Sequence, residues 1–85
     1  MSEAAPIRVL VADDHPIVRA GIAGLIDDEH DFELVGEAGD GEQAVRMAAA
    51  LRPDVVLMDL RMPKLDGAAA TAQILAAGSA RAVLI

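Results

Sequence analysis

Short apolar segments alternate along this chain with longer helix-like segments, and this alternation limits the folds that the chain can adopt. Residues 7–13 (IRVLVAD) and 54–59 (DVVLMD) are nearly continuous apolar runs, which is typical of strands buried on both faces of a sheet. Residues 32–38 (FELVGEA) alternate apolar and polar side chains, which favours a strand nearer the edge. Residues 81–85 (RAVLI) predict the beginning of a fourth strand.

The first segment between strands has the spacing of an amphipathic helix. In residues 15–30 (HPIVRAGIAGLIDDEH), Val18, Ile22 and Leu25 are spaced at i, i+4 and i+7, which predicts that these side chains form the buried face. Pro16 lies near the start, where a helix tolerates proline.

Two further helices are predicted, and together the elements define a fold class. Residues 39–53 (GDGEQAVRMAAALRP) predict a helix that begins at Asp40 or Gly41 and ends before the proline. Residues 68–78 (AAATAQILAAG) predict an alanine-rich helix that Gly78 closes. The resulting order is βαβαβαβ, which favours an α/β fold with a parallel sheet and right-handed crossovers.

Composition and charge exclude several classes of protein. A chain of 85 residues suffices for one small domain, and 54% hydrophobic with 25% charged residues argues against disorder. The absence of cysteine excludes disulfides and thiolate metal sites. Nucleic-acid-binding proteins carry a basic surface, whereas the net charge of this chain is −7, so the composition argues against direct nucleic-acid binding. We find no signal peptide and no membrane-spanning segment, and we therefore expect a cytoplasmic protein.

Three carboxylates follow the apolar strands directly. Asp13 and Asp14 come at the end of the first predicted strand, and Asp59 at the end of the third. Ligands of open α/β sheets bind at the carboxyl ends of the strands. If the two strands are neighbours, the three like charges repel by roughly 3 kcal/mol per pair at a separation of about 5 Å. A divalent cation would remove this repulsion, and a site of oxygen ligands alone favours Mg²⁺ and phosphoryl transfer.

The chain resembles the receiver domains of response regulators, specifically the NarL/FixJ (LuxR-type) subfamily. Three segments carry the resemblance: VADDHPIVRAGIAGLI, VGEAGDGEQAV and RPDVVLMDLRMPKLDG. The resemblance implies a flavodoxin-like three-layer fold with strand order 2-1-3-4. It also implies that Asp59 is the phosphoacceptor and that Asp13, Asp14, Asp59 and the backbone carbonyl of Arg61 hold Mg²⁺.

The resemblance implies partners as well as a site. A histidine kinase would donate the phosphoryl group, and DNA would be contacted through an output domain outside these residues. We expect residues 1–6 to form a tail and residues 7–85 to form the N-terminal two-thirds of a receiver domain that ends within its fourth strand. An apolar edge strand there favours self-association. Such a domain phosphorylates itself without turning over an external substrate, so we do not class it as an enzyme.

Three other functions match parts of this sequence. A phospho-independent dimerisation or interaction module is the main alternative, and Mg²⁺ affinity would distinguish the two. The sequence GDGEQA also matches a dinucleotide-binding fingerprint, but the strand before it is not fully apolar, and its glycines are interpreted as turn residues. Phosphatases with an aspartyl nucleophile carry the motif D-x-D on their first strand, whereas Asp13 and Asp14 are adjacent in this chain. His15 is predicted to flank the helix N-cap without a chemical role.

Overall fold

The computed structural model describes residues 5–62 and 64–85. Four strands alternate with three α-helices in the predicted order. The elements are β1 (Ile7–Ala12), α1 (Pro16–Asp27), β2 (Phe32–Ala38), α2 (Gly41–Leu51), β3 (Val55–Met58), α3 (Gly67–Ala77) and β4 (Ala82–Leu84). Among these residues, no helix has the length and apolar character that crossing a membrane requires.

The four strands form one parallel sheet in the order β2-β1-β3-β4, which confirms the predicted topology. β2 lies at an edge, as its mixed pattern predicts, and β1 lies between β2 and β3. Both β1 and β3 stop one residue earlier than predicted, so that Asp13 and Asp59 are the first residues beyond their strands. Both carboxylates therefore lie where a loop begins, at the C-terminal end of a strand.

Alternate side chains of the central strand enter two different apolar layers. Leu10 and Ala12 belong to the larger core, which is formed with α2 and α3. Val9 and Val11 belong to a smaller core that packs against α1. Because successive side chains of a strand point to opposite faces, α1 covers one face of the sheet, and α2 and α3 cover the other.

The buried face of α1 differs from the predicted one. Val18 and Leu25 are 50% and 71% exposed, whereas Ala23 and Ile26 are buried and Ile22 packs against the smaller core. The helix carries apolar side chains on both sides, so spacing alone did not identify the face that packs. The position of Arg19 is consistent with this orientation, because its guanidinium reaches the backbone of the β1 end.

Gly41 is required by packing, and its interpretation as a turn residue is wrong. A Cβ atom at this position would lie 1.6 Å from the carbonyl oxygen of Leu65, and the backbone φ of Gly41 is not positive. The glycine therefore lets the N-terminus of α2 contact the loop before α3 directly. The N-cap of α2 is Asp40, whose side chain accepts a hydrogen bond from the backbone N–H of Gln43 (2.7 Å).

Gly21 offers a direct test of the packing of α1. Nothing lies within 4 Å of a Cβ atom built at this position. Gly21→Ala is therefore expected to raise the free energy of unfolding by about 0.5–1 kcal/mol, because alanine loses less backbone entropy in a helix. Urea unfolding monitored by circular dichroism measures the change. A loss of stability would mean that this face of α1 is covered.

The cap of α2 predicts a pH dependence of stability. The pKa of Asp40 is lowered mainly because the backbone N–H of Gln43 donates to its carboxylate, and Lys64 adds to the effect. The ionised group therefore stabilises the fold above its ordinary pKa, and the stabilisation is lost as the pH falls through the lowered pKa. In melting curves, the deficit of Asp40→Asn relative to the unaltered chain should shrink on acidification.

Candidate metal and phosphoryl site

The sheet register brings the carboxylates at the ends of β1 and β3 together. Ala12 pairs with Met58 at the last position of both strands, and the backbone N–H of Asp59 donates to the Ala12 carbonyl oxygen (2.9 Å). The N–H of Asp13 donates in turn to Ala38 at the end of β2 (3.0 Å). These backbone bonds extend the sheet by one residue and fix the starting points of Asp13 and Asp59.

Four side chains meet at this edge and form what is here termed the acidic cluster: Asp13, Asp14, His15 and Asp59. One ligand atom from each lies within 4.8 Å of the others. The Asp13 side chain is only 12% exposed, while Asp14 and Asp59 are 29% and 27% exposed. The site is therefore open to a small ion or a phosphoryl donor, and it has one nearly buried carboxylate at its base.

His15 is the member of the acidic cluster to which sequence reasoning assigned no role. Its Nδ1 atom lies 3.1 Å from Asp13 Oδ1, 3.0 Å from Asp14 Oδ1 and 4.0 Å from Asp59 Oδ2. A hydrogen bond with Asp13 and the charge of Asp14 raise the pKa of His15 above its ordinary value, against a smaller opposing effect of desolvation. The signal in the sequence was the run DDH itself. It places the imidazole at the N-cap of α1, where the backbone is extended and the side chain forms no cap.

Hydrogen bonds orient two of the carboxylates and leave an oxygen of the third without one. Asp13 Oδ1 accepts from the backbone N–H of His15 (2.8 Å), and Asp59 Oδ1 accepts from that of Arg61 (3.2 Å). Asp14 Oδ1 is buried and has no hydrogen-bond partner, although the His15 ring is near. A buried carboxylate oxygen close to two further carboxylates is the environment that a bound cation would complete.

The donor set of the acidic cluster fits a hard divalent cation. Three carboxylates supply oxygen ligands, and the open side leaves room for the waters that Mg²⁺ retains. His15 is the one nitrogen donor in the cluster. Arg61 follows Asp59 on the same loop, and its carbonyl remains a predicted ligand.

Gly67 supports Asp59 from the side of α3. A Cβ atom here would lie 2.1 Å from the carbonyl oxygen of Asp59 and 2.6 Å from the Cα atom of Leu60. The Gly67 N–H donates to the Leu60 carbonyl oxygen (2.9 Å). Asp66 caps α3 through the backbone N–H of Ala69 (2.8 Å). The start of α3 is thus packed directly on the backbone that carries Asp59.

An open cleft of about 460 Å³ adjoins the acidic cluster. Asp13, Asp59 and Arg61 contribute its polar wall, and apolar side chains that include Ile22 and Leu57 contribute the remainder. The cleft lies on the side of the sheet against which α1 packs, and Asp59 is part of its wall.

Comparison with known proteins identifies relatives of this architecture. The family model described as the response regulator receiver domain matches residues 9–85. The transcriptional regulatory protein LiaR of Bacillus subtilis (strain 168) is 53% identical over 68 residues, which are 80% of this chain and 32% of LiaR. Protein-glutamate methylesterase/protein-glutamine glutaminase 3 of Myxococcus xanthus (strain DK1622) is 47% identical over 85 residues, which are 100% of this chain and 24% of that protein.

A solved structure shows the same fold. The crystal structure of a two-component response regulator of the LuxR family from Aurantimonas sp. SI85-9A1 superposes with a TM-score of 0.81 at 37% identity, over 93% of this chain and 58% of that one. The chain spans about a quarter to a third of the length of the two curated relatives.

Proposed function

The chain belongs to the response-regulator receiver family, and on this premise we propose that it accepts a phosphoryl group on Asp59 with the help of Mg²⁺. The observation that carries the proposal is the acidic cluster, in which three carboxylates converge where β1 and β3 end. Asp13 and Asp14, with Asp59 and the Arg61 carbonyl, are the proposed ligands.

The chemistry proposed for Asp59 is a nucleophilic displacement at phosphorus. One carboxylate oxygen forms a bond to phosphorus while the bond from phosphorus to the leaving group breaks, and the electron pair of that bond departs with the leaving group. A kinase imidazole that leaves in this way takes up a proton from water, whereas acetate from acetyl phosphate leaves as the anion. The Arg61 N–H orients the carboxylate through Oδ1 (3.2 Å), which leaves Oδ2 to attack. When bound, Mg²⁺ would offset the negative charge of acceptor and donor. The chain thus acts as a phosphoacceptor, and turnover of an external substrate is not part of the proposal.

The proposed donor of the phosphoryl group is a sensor histidine kinase. The proposed consequence is control of an output domain on the same polypeptide, since the relatives are longer than this chain. The net charge of −7 supports the proposal that a separate, more basic domain binds DNA. A cytoplasmic location remains a prediction.

Self-association is a second element of the proposal. Leu25 is 71% exposed on α1, and Leu84 is 56% exposed on β4. Exposed apolar side chains of this kind favour contact with a second copy of the chain. A monomeric mass by light scattering at high concentration would contradict this element.

Incubation with a small phosphoryl donor tests the proposal. The unaltered chain is treated with acetyl phosphate with and without Mg²⁺, and its intact mass is measured. We expect a base-labile adduct of one phosphoryl group that forms with Mg²⁺ and not with a chelator present. Binding of Mg²⁺ without any adduct would contradict the phosphoacceptor role and favour a phospho-independent interaction module.

A further inference from the structure

Arg19 lies behind the acidic cluster and contacts the backbone that supports it. Its side chain, 24% exposed, extends from the buried face of α1. Nη1 donates a hydrogen bond of 2.8 Å to the carbonyl oxygen of Asp13. In the part of the chain that the structure describes, Arg19 forms its ion pair with Glu37 and not with a carboxylate of the acidic cluster.

The end of β2 holds the guanidinium in this position. Arg19 Nε lies 3.4 Å from Glu37 Oε1, which faces it as a counter-ion. Gly39 leaves the space that the guanidinium occupies, because a Cβ atom there would lie 3.1 Å from Arg19 Nη1. Glu37 on β2 and the space beside Gly39 therefore direct one N–H group of the Arg19 guanidinium toward the end of β1.

The backbone of Asp13 is consequently held on both sides. Its N–H donates to Ala38 (3.0 Å), and its carbonyl oxygen accepts from Arg19 (2.8 Å). This carbonyl belongs to the peptide unit that joins Asp13 to Asp14, and a peptide unit is planar. The hydrogen bond from Arg19 thus sets the orientation of the plane from which the next residue, Asp14, projects.

We propose that Arg19 is a positioning residue for divalent-cation binding, acting through the Asp13–Asp14 peptide. The inference rests on the proposed function, since it assigns Arg19 a role in the same site. Groups that orient metal ligands without touching the metal commonly change metal affinity by about 10- to 100-fold when they are removed.

The sign of the effect separates positioning from simple electrostatics. A positive charge near a cation site repels the cation, so loss of the Arg19 charge alone would tighten Mg²⁺ binding. Loss of the hydrogen bond to the Asp13 carbonyl would weaken Mg²⁺ binding, because Asp14 would sample other orientations. A merely structural role would lower the melting temperature and leave the Mg²⁺ dissociation constant unchanged.

Calorimetric titration of Mg²⁺ into the full chain, well below the melting temperature, tests the proposal. We expect Arg19→Met to bind Mg²⁺ about tenfold more weakly than the unaltered chain. The matched control is Arg46→Met, which removes the same charge from the exposed surface of α2 and should bind within about twofold of the unaltered chain because solvent screens it. Equal or tighter binding by Arg19→Met would overturn the inference and leave the proposed function intact.

A variant without a charge change keeps the inference testable if Arg19→Met does not fold. Gly39→Ala pushes a methyl group against the guanidinium, and we expect it to weaken Mg²⁺ binding, whereas Gly21→Ala should bind like the unaltered chain. Binding by Gly39→Ala as tight as that of the unaltered chain would overturn the inference. Absence of Mg²⁺ binding by the unaltered chain would overturn both the inference and the proposed function.

Discussion

Replacement of Asp59 by asparagine is expected to abolish the Mg²⁺-dependent phosphoryl adduct completely. The amide nitrogen cannot act as the nucleophile, and the amide oxygen carries no negative charge to attack phosphorus. The fold should persist, because the amide oxygen of asparagine can still accept the hydrogen bond that Arg61 N–H donates to Oδ1. Intact mass spectrometry after treatment with acetyl phosphate measures the loss, and circular dichroism confirms the fold.

Asp66→Asn is the matched control for this experiment. Asp66 lies on the same loop, caps α3 through Ala69 and does not belong to the acidic cluster. Since asparagine is also a good N-cap residue, this variant should fold and form the adduct. Persistence of a stoichiometric adduct in Asp59→Asn would assign the phosphoryl group to Asp13 or Asp14 and contradict the role proposed for Asp59.

Replacement of Gly67 by alanine is expected to destabilise the chain by more than about 3 kcal/mol. The added methyl group would lie 2.1 Å from the carbonyl oxygen of Asp59 and 2.6 Å from the Cα atom of Leu60, and both are backbone atoms. Backbone at the end of a central strand cannot move aside as a flexible side chain can. Relief of the clash requires α3 and the Asp59 loop to separate, which removes contacts that bury Ala70 and Ile74.

Urea unfolding of Gly67→Ala and Gly21→Ala, measured in parallel, isolates the packing effect. Both variants exchange glycine for alanine within a helix, but only position 67 meets neighbouring backbone. We expect opposite signs for the two changes in unfolding free energy. If Gly67→Ala is as stable as the unaltered chain, α3 does not pack on the Asp59 backbone as the structure shows. A folded Gly67→Ala variant should still form less adduct, because Asp59 is displaced.

The strand order came from the resemblance to receiver domains, whereas the convergence of the carboxylates was open to reasoning from the residues themselves. An apolar run predicts a buried strand, and the aspartate after it marks the C-terminal end of that strand. Because the C-terminal ends of parallel strands lie at one edge of the sheet, Asp13 and Asp59 could be assigned to the same edge from the sequence. The buried face of α1 was predicted wrongly, because Val18 and Leu25 have the same apolar character as Ile26. Hydrophobicity does not distinguish two apolar sides of one helix.

Contacts between residues distant in sequence decided the remaining features. His15 enters the acidic cluster because α1 begins with an extended N-cap that turns the imidazole over the carboxylates. Arg19 reaches the Asp13 carbonyl because α1 packs with Ile22 and Ile26 inward, and Gly39, the residue after β2, leaves it room.

The sequence by itself determined the βαβαβαβ order, the resemblance to receiver domains and the carboxylates at the strand ends, because strand and helix periodicity and strand-end residues are local properties. Tertiary structure alone decided which face of α1 is buried, which glycines are packed against backbone and which neutral or cationic groups adjoin the carboxylates. These features depend on the rotation and approach of packed elements, and that geometry is set by the shapes of several segments at once.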